Sequence, residues 1–283
     1  MPDRTGPTSL VAPTRWPSVY HRFNGRRRST ITGLVISRPP APQGHRRQTD
    51  KGPDVVTLTQ DQIHDYYEQG YTLVENLFPQ SELDDMNEEL NRLIEEGAGK
   101  DAHGKGWIMQ LGLVSKKTEA FCSDTRILDL IAPLVYPGIA IYSAKLVSKE
   151  PNDDAICHWH QDDAYYTKHS HSERRMSIWI SLQDTAIEHG CLEVIPGSHQ
   201  RGLQPTRTRK GGTCTLAMDV DIDLNERVLC PVKAGTIILF SSLLWHGSAG
   251  NRTNQRRRAF IVSYQETTVP CGNGRQWKIL RTG

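Results

Sequence analysis

Nowhere does this chain of 283 residues run through the roughly 20 apolar residues that a membrane-crossing helix needs, and its N-terminus shows no apolar segment of secretory type. Both absences lead us to expect a soluble, cytoplasmic protein with no membrane partner. The six cysteines, Cys122, Cys157, Cys191, Cys214, Cys230 and Cys271, form no CxxC pair and no zinc-finger spacing. In a chain long enough to bury a core without staples, such scatter reads as reduced packing thiols rather than a disulfide framework. A glycine-rich phosphate loop and an internal repeat are also missing, which sets nucleotide cradles and solenoids aside.

Acidic residues are scarce in one region only. Residues 1–51 hold ten Arg or Lys against two Asp, whereas the remainder holds 24 basic residues against 30 acidic ones, so the formal charge of +2 hides a split. The tail is rich in Arg, Pro, Ser and Gly ("GRRRST", "SRPPAPQGHRR") and has no apolar period, a composition that cannot bury enough surface to fold alone. Residues 1–52 are therefore expected to be a disordered tail. Its arginines also suit a targeting peptide or a nucleic-acid arm, and no function is assigned to it. Residues 53–283 are expected to form one domain.

That domain starts helical. "TLTQDQIHDYYEQG" carries a Thr59/Gln62 capping box, apolar positions at Ile63, Tyr66 and Tyr67, and Gly70 as a stop. After the short strand "YTLVE", Leu83, Met86, Leu90, Leu93 and Ile94 share one helical stripe, and a third helix is expected from Thr125 to Val135. From Gly138 the pattern turns to short runs rich in β-branched and aromatic residues, among them "IAIYSAKLVSK", "AICHWHQD", "MSIWISLQD", "TIILFSS" and "AFIVSYQ". Seven or eight such strands after a helical third predict a mainly β protein with flanking helices (α+β). The expected core is a double-stranded β-helix of jelly-roll or cupin-like type, with the N-terminal helices packed outside.

The densest chemistry lies in "HWHQDDAYY", residues 158–166. On a strand, alternate side chains share a face, so His160 and Asp162 point the same way with His158 one step earlier, while Gln161 and Asp163 point away. The best further ligand is His246, delivered by an apolar run and followed by Gly247. Two imidazoles and one carboxylate leave three positions of an Fe(II) ion open, as non-haem iron oxygenases require. Downstream come Ser248 and Arg256, Arg257 and Arg258. Period two sets Arg257 on one face with Ala259, Ile261 and Ser263, so Arg257, helped by Ser248, is the chosen clamp for a carboxylate, and Arg256 is the runner-up.

Three blocks, "HQD" at 160–162, "IWISLQDTAIEHGCLEVIPGSH" at 178–199 and "HGSAGNRTNQRRRA" at 246–259, resemble the phytanoyl-CoA dioxygenase family of 2-oxoglutarate-dependent oxygenases, from about Leu58 to Tyr264. The resemblance implies that His160, Asp162 and His246 are the catalytic iron ligands and that Arg257 with Ser248 grips the distal carboxylate of 2-oxoglutarate. Trp179 and Lys145 resemble positions lining the co-substrate pocket. It further implies Fe(II), 2-oxoglutarate and O2 as cofactor and co-substrates, and release of succinate and CO2. Related halogenases carry a small residue at the position of Asp162, so its carboxylate implies hydroxylation of a small-molecule substrate.

Rival readings remain at this level. A lone histidine on a strand is more often structural than a ligand, which is the reading taken for His158, His169, His171 and His199. "NRTNQRRRAF" could be a phosphate-binding patch, but the net acidic domain argues against a nucleic-acid partner. A cupin-like enzyme with other metal chemistry and a non-catalytic relative acting as a binding protein are the two alternatives, and a monomer or homodimer is expected. Substrate choice is expected to reside in residues 98–117 and 200–225.

Overall fold

A computed structural model describes residues 56–98, 107–166, 172–210, 212–269 and 278–283. The expected tail, residues 99–106 of the first specificity segment, and His169 and His171 lie outside the described residues.

Helix α1 (Gln60–Gln69) opens on the expected capping box: the Gln62 amide donates to the Thr59 hydroxyl at 3.2 Å and the Thr59 amide to the Gln62 side chain at 2.9 Å. It stops at Gly70, whose φ of +84° is a left-handed conformation that glycine adopts freely. Of its expected apolar face, Tyr66 is buried and Tyr67 is exposed. Strand β1 (Tyr71–Val74) follows, then α2 (Gln80–Glu95), which buries Leu83, Met86, Leu90 and Leu93. Ile94, expected on that stripe, sits at its edge and is exposed. Strand β2 (Trp107–Met109) and a short α3 (Lys116–Cys122), which was not anticipated, precede α4 (Thr125–Ile131), which ends before the expected Val135.

The β region begins with β3 (Ile139–Lys149) and β4 (Ile156–His160), continues through one helical turn, α5 (Asp163–Tyr166), and then β5 (Met176–Ser181) and β6 (Leu192–Val194). Short strands β7 (Thr206–Thr208), β8 (Gly212–Cys214), β9 (Leu216–Met218) and β10 (Val228–Cys230) lead to β11 (Ile237–Ser241), β12 (His246–Ser248), β13 (Arg257–Gln265) and β14 (Lys278–Arg281). Several of these are three-residue pieces with too little pattern to be read in advance, which is why seven or eight were expected.

They assemble as two facing sheets, the jelly roll that was expected. The larger has the order β1-β11-β5-β13-β3-β14 with β2 added on β3, and the smaller has the order β10-β6-β12-β4-β8. Period two divides the larger sheet cleanly. Met176, Ile178, Ile180, Phe260, Val262 and Tyr264 pack in one cluster with Leu83, Leu90, Ile127 and Leu130 of the helices. From β5, β11 and β13 of the same sheet, Trp179, Phe240, Ala259 and Ile261 join Leu192 and Val194 of the smaller sheet in a second cluster. The alternation therefore supports the helices on one side and walls a cavity between the sheets on the other.

Candidate active site

The cavity is lined by Trp107, Lys145, His160, Asp162, Trp179, His246, Ser248 and Arg257, with about 450 Å³ of space that includes solvent at its mouth. All seven residues singled out from the sequence, namely His160, Asp162, His246, Arg257, Ser248, Trp179 and Lys145, line this one space.

His160 ends β4 and His246 starts β12, and the two face each other as register partners. Their ring centroids are 4.1 Å apart. Asp162 is not on the strand, as expected, but in the turn that follows it. The turn still brings its carboxylate round to the imidazoles, with Oδ1 at 3.9 Å from His160 Nε2. Ligand atoms of His160, Asp162 and His246 all lie within 4.8 Å of one another, and all three residues are buried.

Hydrogen bonds settle the tautomers. Nδ1 of His160 lies 2.8 Å from the His158 carbonyl and Nδ1 of His246 lies 2.9 Å from the Leu244 carbonyl. A carbonyl only accepts, so each Nδ1 carries the proton and each Nε2 is left as a bare lone pair. Burial depresses the pKa of both rings, that of His160 to about 3, so they are neutral at ordinary pH. Burial alone would push Asp162 up, but Lys145 and the two histidines hold its carboxyl below the usual range. Lys145 donates to Asp162 Oδ1 at 3.3 Å, and despite burial that contact raises its pKa. Two lone pairs and a carboxylate thus converge with one ammonium beside them, an excess of acceptors that suits a cation.

The carboxylate is also held from behind. Ser177 donates to Asp162 Oδ2 at 2.6 Å, Ser263 stands 2.9 Å from Ser177, and the Tyr166 hydroxyl stands 3.1 Å from Ser263. Each hydroxyl has one proton, so once Ser177 spends its own on Asp162 the chain must run from Tyr166 to Ser263 to Ser177. Sequence reasoning passed over Ser177 and Ser263. The signal was available, because period two puts Ser177 on the face of Trp179, and Ser263 had already been placed with Arg257. Tyr165 and Tyr166 sit on the helical turn α5, so strand alternation does not divide them: Tyr166 joins this chain, whereas the Tyr165 ring is edge-on to His160 at 6.0 Å between centroids.

Neighbours that were expected to point away do so. Gln161 donates to the Gly202 and Leu243 carbonyls at 2.9 and 2.7 Å, and Asp163 pairs with Arg175 in the interior.

The arginine run splits three ways. Arg256 is paired with Glu150 at the surface at 2.9 Å, and Arg258 donates to Asn91 of α2 at 2.7 Å. Arg257 alone enters the cavity, where it is buried, donates to the Gly190 carbonyl at 2.6 Å and lies 5.6 Å from the centre of the Trp179 ring. Its Nε is buried with no partner among the described residues. Burial lowers its pKa to about 10, which leaves it cationic at neutral pH. Close by, Lys149 was not anticipated: it is buried at the end of β3 and donates to the carbonyls of Ala155 at 3.0 Å and Ser248 at 3.4 Å, and to that of Ala249.

One expectation is overturned. Cys157 and Cys214, separated by 57 positions, are joined as a disulfide, whereas Cys122, Cys191 and Cys230 are free and buried as expected. Sequence spacing could not show this, because the parallel pairing of β4 with β8 is what sets the two residues side by side.

The fold and this cavity define a class, the jelly-roll oxygenases that depend on 2-oxoglutarate and non-haem iron. Within it, the chain belongs to the phytanoyl-CoA dioxygenase family, whose model matches residues 66–259. It is 25% identical over 238 residues to a probable alpha-ketoglutarate-dependent hypophosphite dioxygenase of Stutzerimonas stutzeri, covering 75% of this chain and 82% of that one. It is 24% identical over 264 residues to the peroxisomal phytanoyl-CoA dioxygenase of Homo sapiens, covering 82% and 77%. Among solved structures, EctD from S. alaskensis with 2-oxoglutarate and 5-hydroxyectoine shares the fold, with a TM-score of 0.64, 21% identity, and 77% of this chain and 79% of that one covered. No helix among the described residues is long and apolar enough to cross a membrane.

Proposed function

We propose that this protein hydroxylates an unactivated C–H bond of a small-molecule metabolite, consuming 2-oxoglutarate and O2 and releasing succinate and CO2. Fe(II) would be held by His160, Asp162 and His246, and the distal carboxylate of 2-oxoglutarate by Arg257 and Ser248. The observation that carries this reading is the pairing, in one cavity, of three buried convergent ligand atoms with a buried guanidinium that donates to the Gly190 carbonyl and whose Nε has no partner among the described residues.

The donor set fits ferrous ion. Both imidazoles present a lone pair at Nε2, Asp162 is ionised, and a three-cornered set leaves room for a bidentate keto acid and oxygen. When bound, iron with 2-oxoglutarate supplies the two-electron oxidising power that breaks the C–H bond. The chain supplies the rest. Carbonyls of His158 and Leu244 fix the two rings, Ser177 holds the far oxygen of Asp162, and Lys145 balances its charge. Arg257 can meet a carboxylate with its fork, its approach set by Gly190 and the Trp179 ring. Trp107, Leu192, Phe240 and Ile261 make the walls apolar and keep bulk water from the reacting atoms.

Anaerobic addition of Fe(II) and then 2-oxoglutarate tests the class: a metal-to-ligand charge-transfer band is expected, and is lost in Asp162→Ala. Unimpaired turnover in that variant would sink the ligand assignment. A metabolite-extract screen for substrate-dependent succinate release then identifies the substrate class.

A further inference from the structure

Beyond the proposed ligands and clamp, the cavity wall holds a second redox-competent group, the disulfide of Cys157 and Cys214. Cys157 precedes His160 by three positions on β4, and its Sγ lies 3.6 Å from Nδ1 and 4.0 Å from Nε2 of that ring. Nε2 is the atom that would face the ion. A metal–imidazole bond is about 2 Å long, so the sulfur would stand no more than roughly 6 Å from the metal. Cys214 arrives from β8, the edge of the smaller sheet, as the register partner of Cys157. The free cysteines Cys122, Cys191 and Cys230 do not line the cavity. Among the described residues, the two cysteines that line the cavity are therefore the two that are joined. Oxidisable rings, Trp107, Trp179 and Phe240, line the same space.

We propose that Cys157 and Cys214, as a dithiol, are an internal reductant that consumes the oxidising power of turnovers in which no substrate is bound. This further activity rests on the dioxygenase reading given above. The reaction balances: 2-oxoglutarate, O2 and two thiols give succinate, CO2, water and one disulfide. One atom of O2 enters succinate and the other leaves as water. Two S–H bonds and the bond between the keto carbon and the carboxylate break, and one S–S bond forms. Both thiol hydrogens end in water, and dioxygen takes four electrons, two from the keto acid and two from the sulfurs. The pair spares the surrounding rings, and an external dithiol can restore it by exchange through a mixed disulfide. A staple holding β8 against β4 would show the same bond, but would form without 2-oxoglutarate.

That difference is measurable. The full chain is reduced with dithiothreitol under nitrogen, freed of reductant, given Fe(II) and 2-oxoglutarate, and exposed to oxygen with no substrate. Succinate, free thiols and protein mass are read from the same samples. The expected result is a burst of one succinate per chain, loss of two of the six thiols, a mass lower by two hydrogens, and a mapped Cys157–Cys214 cross-link. Omitting 2-oxoglutarate should slow the thiol loss at least tenfold. In Cys214→Ser the two-thiol loss should vanish and oxygen should appear on aromatic side chains instead. Succinate accumulating while both thiols stay free, or thiol loss equally fast without 2-oxoglutarate, overturns the proposal. Absence of any succinate without substrate also overturns the proposal, and the anaerobic charge-transfer band with Fe(II) and 2-oxoglutarate, read on the same sample, tells whether the dioxygenase reading itself has failed.

Discussion

Arg257 and Arg258 are neighbours on β13, yet they live on opposite sides of the larger sheet. Arg258 spends its terminal nitrogens on α2, at 3.3 Å from the Asn87 carbonyl and 2.7 Å from Asn91 Oδ1, and so ties a helix to the outer face. Arg257 spends only one nitrogen, on the Gly190 carbonyl, and among the described residues the buried Nε of each arginine has no partner. A desolvated, under-used guanidinium costs stability, and a fold retains that cost where a ligand offsets it. The outer face holds the architecture together; the inner face is left with an under-used cation and an excess of acceptors.

The inner face should break first in function. His160→Ala, Asp162→Ala and His246→Ala are each expected to abolish iron-dependent succinate formation and to leave protein-bound iron at background by metal analysis. Next in size, Arg257→Ala should raise the 2-oxoglutarate KM roughly 10- to 100-fold, the worth of a charged hydrogen bond of about 1.5–3 kcal/mol, with iron content unchanged. Arg258→Ala is the contrast: a lower Tm, from about 1 kcal/mol of lost helix-to-sheet bonding, and a 2-oxoglutarate KM within twofold of the parent. If the two arginine variants behaved alike, the division of the sheet would mean nothing for function. Smaller still, Ser177→Ala should weaken Fe(II) affinity about tenfold through a less firmly held Asp162, as seen by metal competition.

The smallest effect is one of pH. Burial, with Arg257 nearby, lowers the Lys149 pKa to about 7. Above that pH the folded state gives up a proton that the unfolded chain keeps up to about 10.4, so this residue's contribution to stability rises with pH across that window and is level below it. The stability difference between the parent and Lys149→Met, taken from denaturant melts, should therefore move in the parent's favour from pH 7 to 10. A flat difference would show that the bonds to the Ala155 and Ser248 carbonyls keep the ammonium charged.

What the sequence disclosed follows from how local each feature is. The Thr59 cap, the α2 stripe and the eleven-residue β3 are written in adjacent residues and were legible to within a position or two. The placement of His160, Asp162, His246, Arg257 and Ser248 in one cavity was legible because each sits in a block with distinctive spacing. Asp162 reached the right place for a different reason from the one expected, through a turn and not a pleat. The disulfide, the Tyr166–Ser263–Ser177 chain and the Lys149 cradle depend on strands far apart in sequence meeting in a particular register, and no local pattern encodes that. Three-residue strands such as β7 and β8 are held by their neighbours rather than by propensity, so they left no trace to read.

His246 faces His160 across a single rung between β12 and β4. The backbone ladder therefore sets how far apart the two residues are rooted, and the His158 and Leu244 carbonyls hold each ring from there. A single codon inserted just ahead of His246 would swing its ring to the opposite surface while the flanking strands keep their partners. Such a descendant would fold, persist and do no chemistry, which makes this rung the cheapest place in the molecule for evolution to turn an enzyme into a mute copy of itself.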